Sequence, residues 1–160
     1  MVHGLNHFAR YFSDLKSEYV IVGGTASTIL LEDAGIKFRA TKDIDLVIIA
    51  TDTDKFAEKM IQYVRDGLYQ VQEKNDGSPR FYRFKKPRDP AFPVQVEIFH
   101  KKPDGIELFE GQHIIPIKAP NEDLGISAIL LNREYFELIR ENTNLNGMIP
   151  ITSTLATIVL

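Results

Sequence analysis

The stretch YVIVGGTASTILL at residues 19–31, together with RATKDIDLVII at residues 39–49, decides the fold of this chain. The first stretch is typical of a buried strand that runs through a glycine pair into a helix. The second begins with two aspartates one residue apart and continues as a β-branched apolar run, which predicts a second buried strand. Carboxylates are rarely placed where a buried strand starts, so this pair needs a physical reason.

Asp43 and Asp45 stand at positions i and i+2, so a strand places both side chains on one face, about 7 Å apart along the chain. Two carboxylates that converge repel each other unless a cation or a proton lies between them. Mg²⁺ suits such a pair, because it binds one or two carboxylates together with substrate phosphates. The alternative is that Asp43 ends a turn and that Asp45 is a solvated edge residue.

A glycine pair, Gly23 and Gly24, follows the first predicted strand and opens a helix at Thr25. A glycine turn at a helix N-terminus lets a phosphate approach backbone N–H groups. The stretch has neither the Gly-Lys-Ser/Thr of a P-loop nor the GxGxxG of a dinucleotide fingerprint. A Rossmann-like binder that uses this turn for a cofactor is therefore the less favoured alternative.

A third carboxylate, Glu97, lies in VQVEIFH, where strict alternation separates it from Val94, Val96 and Ile98. If this strand lies next to the aspartate strand, three acids meet on one surface. Otherwise Glu97 is an exposed strand residue.

The remaining segments predict an α+β domain with a mixed sheet flanked by helices. Helices are predicted at residues 6–15, 25–35, 51–67 and 132–142, a hairpin at 69–86, and further strands at 113–117, 125–131 and 147–151. The last residues, STLATIVL, start with a candidate helix cap and stop without an ending signal. This pattern predicts either that a C-terminal part is missing or that a terminal element packs into the core.

Composition excludes several classes of protein. With 160 residues the chain has the length of one domain with its own core. It has no cysteine, which excludes disulfides and Cys-based zinc sites and is compatible with the cytoplasm, where we expect the protein. No apolar run approaches the roughly 20 residues that span a bilayer, so no membrane partner is expected. The net charge of −3 argues against a wholly basic nucleic-acid binder.

Residues 80–102 are locally basic, with seven Lys and Arg side chains interleaved with aromatic ones. Such a segment could guide an RNA acceptor or a triphosphate to a site. The alternative is a solvated face of the predicted hairpin.

Taken together, GGTASTILL and RATKDIDLVI resemble the nucleotidyltransferase superfamily to which DNA polymerase beta belongs, and most closely its AbiEii-type minimal group. The resemblance covers about residues 18–100 and includes the glycine turn, the Asp-x-Asp strand and a third acid on a later strand. It implies the nucleotidyltransferase fold, formed by residues 1–160 as one domain that lacks a C-terminal helical part.

The resemblance also implies the catalytic residues. Asp43, Asp45 and Glu97 would bind two Mg²⁺ ions, and Glu97 would help to deprotonate the acceptor hydroxyl. A two-metal site of this kind steadies the attacking and leaving oxygens of an in-line displacement.

The nucleoside triphosphate would be held by Gly23, Gly24 and Thr25. Arg39 and Lys42, which precede the aspartates, are further candidates for contact with the nucleotide. For Arg39 the alternative is a structural ion pair with the aspartates.

The implied reaction transfers a nucleoside monophosphate from an NTP to the hydroxyl of an RNA, protein or small-molecule acceptor and releases pyrophosphate. Membership of a toxin–antitoxin pair, and thus an antitoxin partner, is implied by the resemblance alone. The alternative is a domain of the same fold that has lost catalysis and serves as a binding or regulatory module.

Overall fold

Alternating and β-branched apolar segments form a mixed β-sheet flanked by helices in the computed structural model, which describes residues 2–38, 41–73, 79–102, 110, 112–117, 119–120 and 126–159. The helices are α1 (Leu5–Tyr11), α2 (Gly23–Asp33), α3 (Asp54–Asp66), α4 (Arg133–Glu141) and α5 (Thr154–Val159). The strands are β1 (Tyr19–Val22), β2 (Asp43–Ile48), β3 (Gln70–Glu73), β4 (Pro79–Lys85), β5 (Gln95–Lys101), β6 (Ile114–Ile117), β7 (Ile126–Leu131), β8 (Thr143–Asn146) and β9 (Ile149–Thr152).

The described strands form one sheet with the order β3-β4-β5-β2-β1-β9-β8, and β7 pairs with both β5 and β6. At the centre, β2 runs parallel to β5 and antiparallel to β1. This confirms an α+β protein with a mixed sheet. Because β1 and β2 are antiparallel, the glycine turn does not lie at the switch point of a parallel sheet, which argues against the Rossmann-like alternative.

The alternation of β2 separates two environments. Ile44, Leu46 and Ile48 are fully buried in the main core, which lies on one face of the sheet. That core also contains aromatic side chains of α1 and α3, among them Phe8, Phe56 and Tyr63. Burial of a large apolar side chain contributes about 1.5–3 kcal/mol, so this face anchors β2 firmly.

The opposite face of β2 carries Asp43, Asp45 and Val47. A second, smaller cluster joins Val47 to Phe136 and Ile139 of α4. Among the described residues this cluster covers the Val47 end of the face, and both aspartates are partly exposed. The carboxylates therefore lie at the open end of a face whose other end is packed.

Several predicted elements are confirmed, with shifts at their ends. β3 and β4 pair as the predicted antiparallel hairpin, whose turn at residues 74–78 lies outside the described residues. α2 begins at Gly23 rather than Thr25, so the glycine pair forms its first turn. α5 follows Ser153, whose Oγ accepts a 3.3 Å hydrogen bond from the Ala156 N–H.

The sequence analysis predicts no strand at residues 143–146, where the structure has β8. This strand pairs with β9 across a turn in which Gly147 has a φ of 61°. Asn-Gly at residues 146–147 is a hairpin signal that could have found the strand.

In the part of the chain that the structure describes, every helix is too short or too polar to cross a membrane.

Candidate functional site

Three carboxylates occupy one side of the sheet, here named the acidic face: Asp43 and Asp45 of β2 and Glu97 of β5. In the parallel ladder Asp45 pairs with Glu97, and Asp43 pairs with Gln95. Residues in register on neighbouring strands project to the same side. The structure therefore places the Glu97 strand beside the aspartate strand, which the predicted three-acid surface requires.

The glycine turn lies against this face. β1 ends at Val22, which pairs with Asp45, and Gly23 then begins α2. Gly23 has a φ of 65°, and a Cβ built on it would lie 2.8 Å from Oδ2 of Asp45. A larger residue would combine a strained backbone with a collision against the carboxylate. Glycine is thus what lets the turn and the carboxylate come this close.

Thr25 fastens the first turn of α2 to the start of β2. Its side chain is buried, and Oγ1 donates a 2.7 Å hydrogen bond to the backbone oxygen of Asp43. Gly24 packs nearby, since a Cβ there would lie 3.3 Å from Oγ1 of Thr41. The hydroxyl of Thr25 therefore positions Asp43. The backbone N–H of Thr25 belongs to the first turn of α2.

The N-terminus of α2 is open to a ligand. Its N-cap residue, Val22, has no side chain that could accept a hydrogen bond from the first turn, and Gly23 is exposed. First-turn N–H groups have no partner within a helix and carry partial positive charge. The combination favours an anion next to the acidic face.

Arg83 of β4 extends the row of paired residues, because it lies opposite Glu97 in the antiparallel ladder. Its Nε lies 2.6 Å from Oε1 of Glu97. Nε2 of Gln95 donates a 2.7 Å hydrogen bond to the same oxygen. The contact with Glu97 raises the pKa of the Arg83 guanidinium. Glu97 is thus already bound to two side chains of the protein.

The electrostatics of Asp45 differ from those of an ordinary surface carboxylate. Burial, and then the charges of Glu97 and Asp43, raise the pKa of Asp45 to about 6. The charge of Arg83 offsets only part of this rise. At neutral pH the ionised side chain therefore opposes folding. A cation bound at the aspartates would remove that penalty.

A cleft of about 350 Å³ opens beside Asp45 and reaches α4 and α5. Its lining combines apolar side chains, including Phe99, Leu131 and Ile139, with the hydroxyl residues Ser27 and Thr157. Such a cleft can take an uncharged ring or chain next to a single carboxylate.

The chain matches no protein-family model, no curated protein and no solved structure.

The carboxylates of the acidic face differ in how well they fit the predicted Mg²⁺ ions. Asp43 and Asp45 supply the oxygen donors that Mg²⁺ prefers, and the raised pKa of Asp45 shows that its charge is poorly compensated. Glu97 is held by Arg83 instead. Among the described residues, no group of three or more His, Cys, Asp or Glu side chains is arranged to hold a metal ion. The aspartate pair therefore fits a cation, and the binding of a metal by Glu97 stays a prediction.

Two further residues, Lys42 and Arg39, were predicted to contact the nucleotide. Lys42 is exposed just before β2. Arg39 lies outside the described residues, so its contact with a nucleotide stays a prediction.

Arg83 was not predicted as a residue of the site. Alternation of basic and aromatic residues in FYRFK indicates a strand with a basic face. The ion pair with Glu97 also depends on the register of β4 against β5, which that alternation does not specify.

Proposed function

We propose that this chain is a Mg²⁺-dependent nucleotidyltransferase domain with the nucleotidyltransferase fold, which moves a nucleoside monophosphate from an NTP to an acceptor hydroxyl. The observation that carries this proposal is the approach of the glycine turn to the Asp-x-Asp strand, where a Cβ on Gly23 would lie 2.8 Å from Oδ2 of Asp45. A phosphate at the first turn of α2 and a cation at the aspartates would be neighbours there.

Each part of the site has a task in this reaction. The N–H groups of Gly23, Gly24 and Thr25 would bind phosphate oxygens, and Asp43 and Asp45 would hold the cation. The cation supplies positive charge for the oxygens of the reacting phosphate. The paired strands and the glycine turn supply fixed positions, which phosphoryl chemistry needs more than covalent catalysis.

The reaction forms one bond and breaks one. The acceptor oxygen bonds to the α-phosphorus, the bond from that phosphorus to the pyrophosphate oxygen breaks, and the hydroxyl proton passes to a base. The acceptor is an RNA, a protein or a small molecule in the cytoplasm. The apolar cleft beside Asp45 supports an acceptor group without charge next to its hydroxyl.

The ion pair between Arg83 and Glu97 favours a second candidate function. If this pair keeps the third carboxylate from chemistry altogether, the domain binds nucleotide without transferring it. It would then serve as a binding or regulatory module, of the kind found in a toxin–antitoxin pair.

The test is a transfer assay with Mg²⁺ and each of the four NTPs, labelled on the α-phosphate, with and without cell extract. Asp45→Asn removes the charge and keeps the size of the side chain, and Glu141→Gln, at an exposed position of α4, is the matched control. We expect a labelled acceptor with the unaltered chain and the control, and a loss of at least about a hundredfold in Asp45→Asn.

Calorimetry with Mg²⁺ and each NTP separates the candidates. Binding without transfer supports the regulatory module. Neither binding nor transfer, with or without extract, overturns both.

A further inference from the structure

We propose that Arg83 takes the place of a second cation on the acidic face, so that Glu97 is its ionic partner and the chain binds a single divalent cation, at Asp43 and Asp45. This inference rests on the proposed function and refines it. It changes the expected number of cations and the role of the third acid.

The position of Arg83 is set by the backbone. Strands β4, β5 and β2 align three residues in one row, Arg83, Glu97 and Asp45. The guanidinium therefore lies on the acidic face because of the register of both strand pairs. The side chain of Glu97 is only 12% exposed and that of Arg83 30% exposed. Solvent and salt screen such a partly buried pair less than an ion pair between two exposed side chains.

The charge of Glu97 is already balanced by Arg83. Its Oε1 lies 2.6 Å from Nε of Arg83 and accepts the hydrogen bond from Gln95. A metal bound at Oε1 would have to displace both contacts, and it would leave a partly buried guanidinium without its partner. A metal bound at Oε2 would keep these contacts but would place its positive charge beside that of Arg83, which is unfavourable.

The aspartates have no such obstacle. Oδ2 of Asp45 faces the backbone of Gly23, and both aspartate side chains are partly exposed. One cation at Asp43 and Asp45, with Arg83 as a fixed positive charge beyond Glu97 in the same row, completes the face.

The test uses Mn²⁺ alone, followed by electron paramagnetic resonance and calorimetry on the whole chain. We expect about one Mn²⁺ per chain in the unaltered protein and in Arg83→Lys, which keeps the charge. In Arg83→Gln the freed Glu97 should add a second site or tighten binding by about tenfold. Arg88→Gln, at an exposed position of the same segment, removes the same charge away from Glu97 and should change nothing.

The double variant Arg83→Gln/Glu97→Gln removes the whole pair without a change in net charge. We expect its Mn²⁺ affinity to stay within about threefold of the unaltered chain, because neither residue is a ligand. Circular dichroism checks that each variant is folded. The conservative lysine variant and the double variant keep the test decisive if Arg83→Gln unfolds.

Three results would overturn the inference while leaving the proposed function intact: two Mn²⁺ ions in the unaltered chain, equal behaviour of Arg83→Gln and Arg88→Gln, or a loss of about tenfold or more in the double variant. Absence of Mn²⁺ binding from the unaltered chain and all variants would instead overturn the metal site itself, and the inference with it.

Discussion

Replacing Asp45 with asparagine should stabilise the protein at neutral pH. The folded state raises the pKa of this carboxyl from 3.8 to about 6, chiefly by burial and then through Glu97 and Asp43. Because the folded pKa lies above the unfolded one, the folded state holds the proton more tightly. Stability is therefore greatest below the unfolded pKa and falls as the pH rises through the folded value.

The size of the effect follows from the shift. A difference of about two pKa units corresponds to about 3 kcal/mol, and partial exposure of Asp45 reduces this to about 1–3 kcal/mol. Asparagine keeps the shape and removes the charge. Near pH 7.5 the free energy of unfolding of Asp45→Asn should thus exceed that of the unaltered chain by about 1–3 kcal/mol, which corresponds to a rise of about 2–12 °C in Tm. This stabilisation should vanish near pH 4.

The assay is urea unfolding followed by far-UV circular dichroism at several pH values, with Glu141→Gln as the exposed control. Mg²⁺ should stabilise the unaltered chain and shrink its difference from Asp45→Asn, because ligand binding favours the folded state. If the variant is no more stable than the unaltered chain near neutral pH, the charge of Asp45 does not oppose folding. A gain of equal size at both ends of the pH range would show the same.

Substitutions at Gly23 and Thr25 test the glycine turn, and Gly147→Ala is a control outside it. Gly23→Ala and Gly147→Ala both place a side chain at positive φ, which costs about 1–2 kcal/mol, but only the new side chain at Gly23 would meet Asp45. Gly23→Ala should therefore lower the free energy of urea unfolding by more than the control does, and this excess should shrink in an Asp45→Ala background. Equal losses would show that the contact has no energetic weight. Thr25→Val removes the hydrogen bond to the Asp43 backbone oxygen, so it should lower the free energy of unfolding by about 1–3 kcal/mol and also lower the transfer rate. Thr25→Ser keeps the hydroxyl and should retain most of the stability and of the transfer rate. If Thr25→Val changes neither quantity, Thr25 does not position Asp43.

The sequence predicts the fold well where the pattern is local. The apolar run after Asp45 makes β2 a buried strand, and the alternation in VQVEIFH puts Glu97 on one face of β5. The proximity of Gly23 to Asp45 follows less directly, because it requires β1 to end opposite that residue.

What could not be predicted depends on register between distant segments. The pairing of Arg83 with Glu97 arises from the alignment of β4 with β5, and a shift of one residue would place the guanidinium on the other side of the sheet. The hydrogen bond from the Thr25 hydroxyl to the backbone oxygen of Asp43 is likewise a tertiary contact that the local pattern does not specify. By contrast, β8 was missed although Asn146 and Gly147 carried a recognisable turn signal.

In the proposed site, the glycine turn and the aspartate pair together bind an NTP with its cation. The decisive measurement is calorimetric titration of NTP, with and without Mg²⁺, on the unaltered chain, Gly23→Ala, Asp45→Asn and the control Gly147→Ala. We expect Mg²⁺-dependent binding that weakens by about tenfold or more in Gly23→Ala and Asp45→Asn and is unchanged in the control. Binding that is independent of Mg²⁺, or equally strong in all four proteins, would show that the turn and the aspartates do not form the NTP site.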